Sequence, residues 1–271
     1  MLELYISSII LGLCISGILL LVSIGLSIGF GLMRIINMEQ MVYYTFGAYM
    51  TYALVTWTGS FWLGLLVGTL VAAGVGFLVE TQLLRRVYGK ELMFTMVVTF
   101  SVFMIGIGLI QYGFGLASKP VGQPFAASIS LFGTSVPVYR LVVIVISLVV
   151  YVLIQMFLNK TIFGKAIRAG IENPDQVQGL GINIRRIFTI TFVVASGLAG
   201  FGGCLHSPLV GVRPYMGFDM LLLAFITVIL GGLGSLKGTL VSAAILGQVI
   251  SVGGTIYSPL SSVGPFIVMF I

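Results

Sequence analysis

Few side chains in this sequence have the types and spacing that catalysis requires. Ser196 and His206, the single histidine, are the candidate nucleophile and base. Ten helical residues would separate them by about 15 Å. A nucleophile must lie within hydrogen-bonding distance of its base, so direct contact within one helix is excluded. The sequence therefore disfavours an intramembrane hydrolase.

A glycine-rich stretch at 231–235 has the composition of a phosphate-binding loop. It lacks the GK[ST] element of a P-loop, which Leu236-Lys237-Gly238 does not supply. We expect no nucleotide site on this chain. We interpret the stretch as a tight cytoplasmic turn near a helix at 174–180, formed by Gly231, Gly232, Gly234 and Ser235.

The two cysteines, Cys14 and Cys204, both lie in apolar runs. Their positions suggest neither a disulfide framework nor a metal site. We expect no cofactor.

Polar residues at 34–40 separate two apolar runs, and they are the first candidates to line a polar path through the apolar part of the molecule. They could form a simple turn, with Arg34 and Glu39 as an ion pair at a helix end. However, Asn37–Tyr52 is amphipathic and aromatic, which also suits a broken or re-entrant helix lining a cavity. Hydroxyls near 95–101 could line the same path or bond their own helix carbonyls. The path candidates are Asn37, Gln40, Thr95 and Thr99.

The longest polar interval, 159–186, holds five of the thirteen basic residues. Its middle predicts a two-turn helix, with an N-cap, a proline in the first position, an acidic first turn and a glycine stop. A helix below roughly 12–15 residues is marginal alone in water, so it must pack on something. The partner could be a groove of a soluble protein, or the helix could fold back on its own spans. The candidate contact residues of this segment are Arg168, Asn173, Pro174, Asp175, Val177, Leu180 and Gly181.

The overall composition indicates a polytopic membrane protein. Hydrophobic residues make up 59% of the chain and charged residues 7%, and the mean hydropathy is +1.18. We predict an all-α bundle of about eight or nine transmembrane segments, some broken or re-entrant, in a single domain over 1–271. Runs of about 20 residues suffice to cross a bilayer. They lie at about 5–28, 38–58, 61–84, 92–115, 139–158, 187–206, 218–236 and 239–257.

The ends of the chain carry two further expectations. The first run lacks the features of a signal peptide, so we interpret it as a true span. The last nine residues begin a run too short to cross, so we expect that the usual C-terminal end of the protein is missing from this sequence.

The net charge of +6 indicates orientation rather than nucleic-acid binding, because the basic residues are distributed among short loops. Loops at 85–90 and 160–186 are basic and should be cytoplasmic. The segment near 116–138 then faces outside as a short irregular loop. The N-terminus and residues 206–217 also fall outside, where His206 would be a solvated cap.

Three stretches together resemble permease subunits of ABC importers of the hydrophobic and branched-chain amino-acid uptake family. Ile36-Asn37 with Gly47 and Tyr49 is similar to the family's I-N-F-A-H-G…G-x-Y. Gly164-x-x-x-Arg168-Ala169 with Asn173 and Gly181-Ile182-Asn183 looks like its cytoplasmic coupling segment. Leu230–Ser235 matches its L-G-G-x-G-S turn.

The resemblance implies a multi-pass transport subunit of the bacterial inner membrane that is not itself an enzyme. Its implied partners are a second similar permease, two cytoplasmic ATPases that bind the ATP, and a periplasmic substrate-binding protein. The helix at 174–180 would insert into an ATPase groove and transmit its closure to the spans, which would alternately expose the path to either side.

Departures from the family pattern leave the substrate open. Glu39, Gln40 and Met41 stand where the family has a small residue followed by His-Gly. A leucine-type amino acid, urea, a short amide or an aromatic or other small carboxylate all remain possible. Lys237 replaces the proline of G-S-x-P-G, and the coupling segment lacks a clean E-A-A triplet.

The alternative from another class is an ion-coupled secondary transporter of a small polar solute. Such a protein should place ionisable residues in mid-span. Outside 34–40, no such residue lies well inside an apolar run.

Overall fold

The computed structural model describes residues 2–33, 37–88, 90–125, 127–131, 133–172, 174–179 and 181–270. The helices are α1 (Leu2–Met33), α2 (Gln40–Thr58), α3 (Phe61–Gln82), α4 (Leu92–Phe114), α5 (Val138–Lys160), α6 (Ile162–Glu172), α7 (Pro174–Gly179), α8 (Ile184–Val210), α9 (Met216–Gly231), α10 (Leu236–Gln248), α11 (Gly254–Ile256) and α12 (Leu260–Met269). A 3₁₀ turn covers Leu84–Arg86, and a π-helical segment covers Val249–Gly253. The short strands are β1 (Ser128–Leu131) and β2 (Thr134–Pro137).

The predicted all-α membrane bundle is confirmed, and each of the eight predicted apolar runs is helical. Six helical stretches in the described ranges are long and apolar enough to cross a membrane, judged by length and composition. The α2 and α9 helices are not among them, because α2 is more polar and α9 has only 16 residues. Both pack against other helices of the bundle, where polar and short helices are tolerated.

The long helices α1 and α8 form the centre of the bundle. In both, 72% of the most apolar stretch is buried, against 17% in α5. Small residues on α8 permit this packing. A Cβ at Gly203 would overlap the Tyr44 carbonyl of α2, and one at Gly200 would overlap Ala72 of α3. The run of small residues at Ser196–Gly203, a composition that predicts close helix contact, therefore meets two neighbouring helices.

Polar bonds tie α10 and its π segment to α1. Ser251 Oγ donates to the Ser8 carbonyl at 2.7 Å, and Gln248 Nε2 donates to the Ile9 carbonyl at 3.2 Å. A π segment re-aims side chains within a helix. Here it coincides with the point where α10 bonds across to α1.

Contacts at the predicted outer end bring the N-terminus and two loops together. Thr134 Oγ1 donates to the Glu3 carbonyl at 3.1 Å, and Lys119 forms a backbone bridge with Val212. The segment near 116–138 is not wholly irregular as expected. It contains an antiparallel hairpin in which Ser128 pairs with Pro137 and Leu131 with Thr134, because the alternating Ser128–Leu131 stretch can pair across the turn at Gly133, whose φ is 84°.

Candidate functional site

The start of α2 lies inside the bundle rather than at its surface. Gln40, the first residue of α2, donates from Nε2 to the Ala195 carbonyl of α8 at 2.8 Å. A Cβ added at Gly25 of α1 would lie 2.6 Å from the same Nε2 and 2.7 Å from the Ala195 carbonyl oxygen. Gly25 precedes the end of α1 by eight residues, or about 12 Å of helix. The α2 helix therefore begins well within the helical layer, as a broken helix would.

Asn37 positions this start of α2. Its Oδ1 accepts a hydrogen bond from the Gln40 backbone N–H at 3.0 Å, and the side chain is buried. This bond satisfies one of the backbone donors that a helix N-terminus leaves unpaired. The two path residues predicted on this stretch thus have linked roles, since Asn37 caps the helix that carries Gln40.

A cluster of buried polar side chains surrounds the start of α2. We define this buried polar cluster as Glu39, Gln40, Tyr43 and Thr191. Both carboxylate oxygens of Glu39 lack a hydrogen-bond partner among the described residues, as do Gln40 Oε1, Tyr43 Oη and Thr191 Oγ1. Tyr43 meets Phe192 of α8 edge to face at 5.8 Å between ring centroids. Buried polar atoms without partners are uncommon and mark functional sites or bound polar groups. The predicted Arg34–Glu39 ion pair involves Arg34, which lies outside the described residues.

A second buried carboxylate lies close by, near the C-terminal end of α3. Glu80 Oε1 accepts from Arg85 Nε and from Tyr88 Oη, both at 3.2 Å. Burial raises the pKa of Tyr88, and the Glu80 carboxylate raises it further. Glu80 is fully buried, and Arg85, which binds it, lies in the 3₁₀ turn that follows α3.

The two threonines predicted for the path lie on α4 and are buried. Thr95 Oγ1 donates to the Glu91 carbonyl at 3.2 Å, and Thr99 Oγ1 donates to the Met96 carbonyl at 3.1 Å. Both bonds are of the local type that hydroxyls commonly make in helices. The role of these threonines in the path stays a prediction.

His206 is not the solvated cap that the sequence suggested. It lies within α8, which continues to Val210, and its Nδ1 forms a short hydrogen bond with Tyr44 Oη of α2. The α8 helix extends beyond the predicted apolar run at 187–206, and Pro208 lies inside this extension. Beyond α8, Arg213 and Asp219 form an exposed ion pair at 2.7 Å.

The polar interval at 159–186, which the sequence predicts to be cytoplasmic, contains one more helix than predicted. Thr161 Oγ1 accepts from the Gly164 N–H at 3.0 Å and caps α6, where Gly164 packs directly on the α5 backbone. Buried Ala166, Ile167 and Gly170 form its inner face. This spacing of three and four residues is the sequence signal that could have revealed α6.

The short helix α7 has the predicted form. Pro174 is its first residue, Asp175 lies in its first turn and Gly181 follows with a φ of 78°. Asn173 and Leu180 lie outside the described residues. Val177 is only 2% exposed and belongs to the protein's own core, as expected if the helix packs on its own chain; its role in coupling stays a prediction. Gln176, Gln178 and Gly179 form the exposed face.

The glycine-rich turn between α9 and α10 is tight, as predicted. Gly232 and Gly234 have φ values of 84° and 81°, which favour glycine. Ser235 Oγ caps α10 by accepting from the Gly238 N–H at 3.2 Å, and the Gly234 N–H donates to Ser27 Oγ of α1 at 3.1 Å. The turn shares a cavity with Arg168 of α6. It is thus fixed to α1 and adjoins the coupling segment.

In the described part of the chain, no three residues among His, Cys, Asp and Glu are grouped to hold a metal ion. Cys14 and Cys204 are both free and buried.

The family of permease components of branched-chain amino acid transport systems matches residues 8–271. The chain belongs to this family. High-affinity branched-chain amino acid transport system permease protein LivH of Salmonella typhimurium is 26% identical over 242 residues, covering 84% of this chain and 79% of LivH. The corresponding BraD of Pseudomonas aeruginosa is 23% identical over 269 residues, covering 93% of this chain and 87% of BraD. No solved structure gives a significant match.

A further relative belongs to the second type of permease. Probable branched-chain amino acid transport permease protein LivM of Methanocaldococcus jannaschii is 30% identical over 104 residues, covering 37% of this chain and 30% of LivM. The family resemblance expected from the sequence is confirmed, and the chain is a multi-pass membrane protein of a transport family.

Proposed function

We propose that this chain is the transmembrane permease subunit of an ATP-binding-cassette importer. It moves a small amino acid, amide or carboxylate, which a periplasmic binding protein delivers, across the inner membrane by alternating access. It pairs with a second, similar permease and with two cytoplasmic ATPases that bind and hydrolyse the ATP. The observation that carries the proposal is the family match over nearly the whole chain.

The α6–α7 segment supports the coupling part of the proposal. Its inner face, with Ile167 and Val177, belongs to the core of the bundle, so a force applied to its outer face reaches the spans. Arg168, Gln176 and Gln178 are exposed on the predicted cytoplasmic side. We assign ATPase contact to this polar outer face and assign Val177 to anchoring α7.

The start of α2 supports the path. Broken helices place unpaired backbone and polar groups beside transported solutes. Gln40 binds the Ala195 carbonyl across the α2–α8 interface, and Asn37 holds the helix end in place. A rearrangement that separates α2 from α8 would expose this bond and the buried polar cluster to a solute.

The proposal is tested by ATP-driven uptake in proteoliposomes that contain the chain, its co-encoded permease and ATPases, and the binding protein. Asn173→Ala combined with Gly181→Val should uncouple ATP hydrolysis from uptake while binding-protein docking persists. Valine is strained at the positive φ of Gly181. Asn173→Ala combined with Gly74→Val is the control, because Gly74 lies in α3 outside the α6–α7 segment, has no positive φ, and a Cβ placed there would have no atom within 4 Å. Normal transport by the Gly181 variant would refute the coupling role.

Ion-coupled secondary transport is the second candidate. It is favoured by one observation, the fully buried carboxylate of Glu39, which has no partner among the described residues. Uptake by the purified chain alone, driven by a proton or sodium gradient without ATP, would support it and contradict the importer.

A further inference from the structure

A cavity of about 330 Å³ opens where α1, α5 and α10 meet at the predicted cytoplasmic end. Arg168 of α6 and Lys237 of α10 contribute two cationic side chains, and no lining residue is acidic. Its walls also include the α10 N-terminus at Ser235. The partial positive charge of a helix N-terminus adds to that of the two side chains. The cavity is therefore suited to an anion.

A chain of hydrogen bonds holds the arginine at this cavity. Arg168 Nη1 donates to Asn159 Oδ1 at 2.6 Å, and Asn159 Nδ2 donates to Gln155 Oε1 at 3.0 Å. Gln155 Nε2 in turn donates to Tyr151 Oη at 2.9 Å. Among the described residues, Asn159 is bound by Nη1 of Arg168 alone, which leaves the other guanidinium N–H groups for a ligand.

A second, apolar cavity of about 90 Å³ lies between the same three helices. It is lined by Leu13 and Leu20 of α1, Leu148 of α5 and Leu240 of α10. Leu20 precedes Ile28 of the cationic cavity by eight residues, or about 12 Å along α1. Leu148 precedes Gln155 by seven residues, or about 10 Å along α5. The apolar cavity thus lies on the membrane side of the cationic one.

We propose that the cationic cavity and the apolar cavity together bind an anionic phospholipid. The phosphate occupies the cationic cavity beside Arg168 and Lys237, and an acyl chain lies along the leucines between α1, α5 and α10. Basic pockets between transmembrane helices on the cytoplasmic side suit anionic headgroups. A water-soluble anion would use only the first cavity, whereas a phospholipid uses both. The bound lipid would join the coupling segment to α10 and α1.

The test is native mass spectrometry of the full chain released from nanodiscs that contain equal amounts of phosphatidylglycerol and phosphatidylcholine. The wild-type chain should retain phosphatidylglycerol in preference to phosphatidylcholine. Each basic residue near an anionic lipid surface contributes roughly fivefold in affinity. Arg168→Gln with Lys237→Gln should therefore reduce the retained phosphatidylglycerol by about 25-fold. Lys165→Gln is the control, because Lys165 is exposed on the same helix but does not line the cavity.

A groove-filling variant separates a lipid from a free anion. Ala244→Phe should block the apolar cavity and lower lipid retention while leaving both cations in place. Equal retention by the double variant and the wild-type chain would overturn the proposal, as would equal loss in Lys165→Gln. Inorganic phosphate that displaces the lipid adduct, with no effect of Ala244→Phe, would identify a headgroup-sized anion site and also overturn it. Because retention is measured without transport, it can fail while the importer function stands.

Discussion

At the residue scale, the decisive feature is a group of polar side chains that the fold buries at the start of α2. Gln40 makes the bond that joins α2 to α8, whereas Glu39 beside it has no partner among the described residues. Gln40 thus stabilises the interface between α2 and α8, and the carboxylate of Glu39 is buried beside it. The proposed transport cycle requires this junction to open.

Gln40 is expected to control transport more than folding. Gln40→Met keeps the length of the side chain but removes the hydrogen bond with the Ala195 carbonyl. We expect uptake to fall by tenfold or so, since a buried hydrogen bond contributes about 1 kcal/mol and a carbonyl left unpaired costs about 1–3 kcal/mol. Uptake normalised to the amount of chain in the membrane is the measurement. Thr58→Val is the control, because Thr58 is exposed and bonds only locally. Unchanged uptake in Gln40→Met would contradict the assignment.

Glu39 is expected to cost stability. Glu39→Gln replaces a buried acid by a neutral amide of similar shape and removes the penalty for burying a charge. We expect the unfolding temperature in detergent to rise by a few degrees, since about 1 kcal/mol corresponds to roughly 2–4 °C in chains of this size. A thiol-reactive dye can report unfolding, because both cysteines are buried and free. Glu91→Gln, at an exposed site, should have little effect. A lower unfolding temperature in Glu39→Gln would instead indicate that the carboxylate has a stabilising partner.

At the element scale, α8 serves as the common surface for α1, α2 and α3. Glycines at the crossing points let the backbones approach so closely that side chains would collide. The run Ser196–Gly203 allowed this face to be predicted from the sequence. The partners of each glycine could not be predicted, because they depend on the depth at which α2 begins.

Gly203→Ala should destabilise the bundle, because its Cβ would overlap the Tyr44 carbonyl of α2. Overpacking of this kind typically costs about 1–3 kcal/mol, which should lower the unfolding temperature by several degrees. Gly74→Ala is the matched control in α3. No atom would lie within 4 Å of its Cβ, and alanine favours a helix over glycine by about 1 kcal/mol. Equal unfolding temperatures for the two variants would contradict the packing described for α2 and α8.

The cytoplasmic segment shows why part of the site could not be predicted from the sequence. The cap, proline and glycine signals predict α7 correctly, because they act locally. The same segment contains α6, whose inner face is set by packing on α5 and was not predicted. The sequence requires the short helix to pack on something, and it leaves a partner and the chain's own spans both open. Val177 is buried in the core of its own chain.

At the scale of the whole molecule, composition and the distribution of basic residues predict the bundle and its orientation. The buried ends of α2 and α3 are less accessible to such reasoning. Glu39 and Glu80 are isolated acids in the sequence, and only the fold shows that both lie inside. The substrate is likewise not encoded in a local motif, because the residues at the start of α2 depart from the family pattern.

Orientation can be tested with single cysteines at opposite ends of the bundle, in a background without Cys14 and Cys204. Leu116→Cys lies beyond α4 at the predicted outer end, and Lys165→Cys lies on α6 at the cytoplasmic end. Both positions are exposed. In intact spheroplasts, a membrane-impermeant maleimide should label position 116 at once and position 165 only after lysis. Labelling of position 165 before lysis would reverse the orientation.

The central claim is that this chain works as one permease of an ATP-driven assembly. The most direct test is to purify the tagged chain from its native host in mild detergent and to identify the co-purifying proteins by mass spectrometry. If the chain works in this way, a second permease and two ATPase subunits per assembly should co-purify with it. A chain that is recovered alone, or only with copies of itself, would contradict the importer and favour ion-coupled transport.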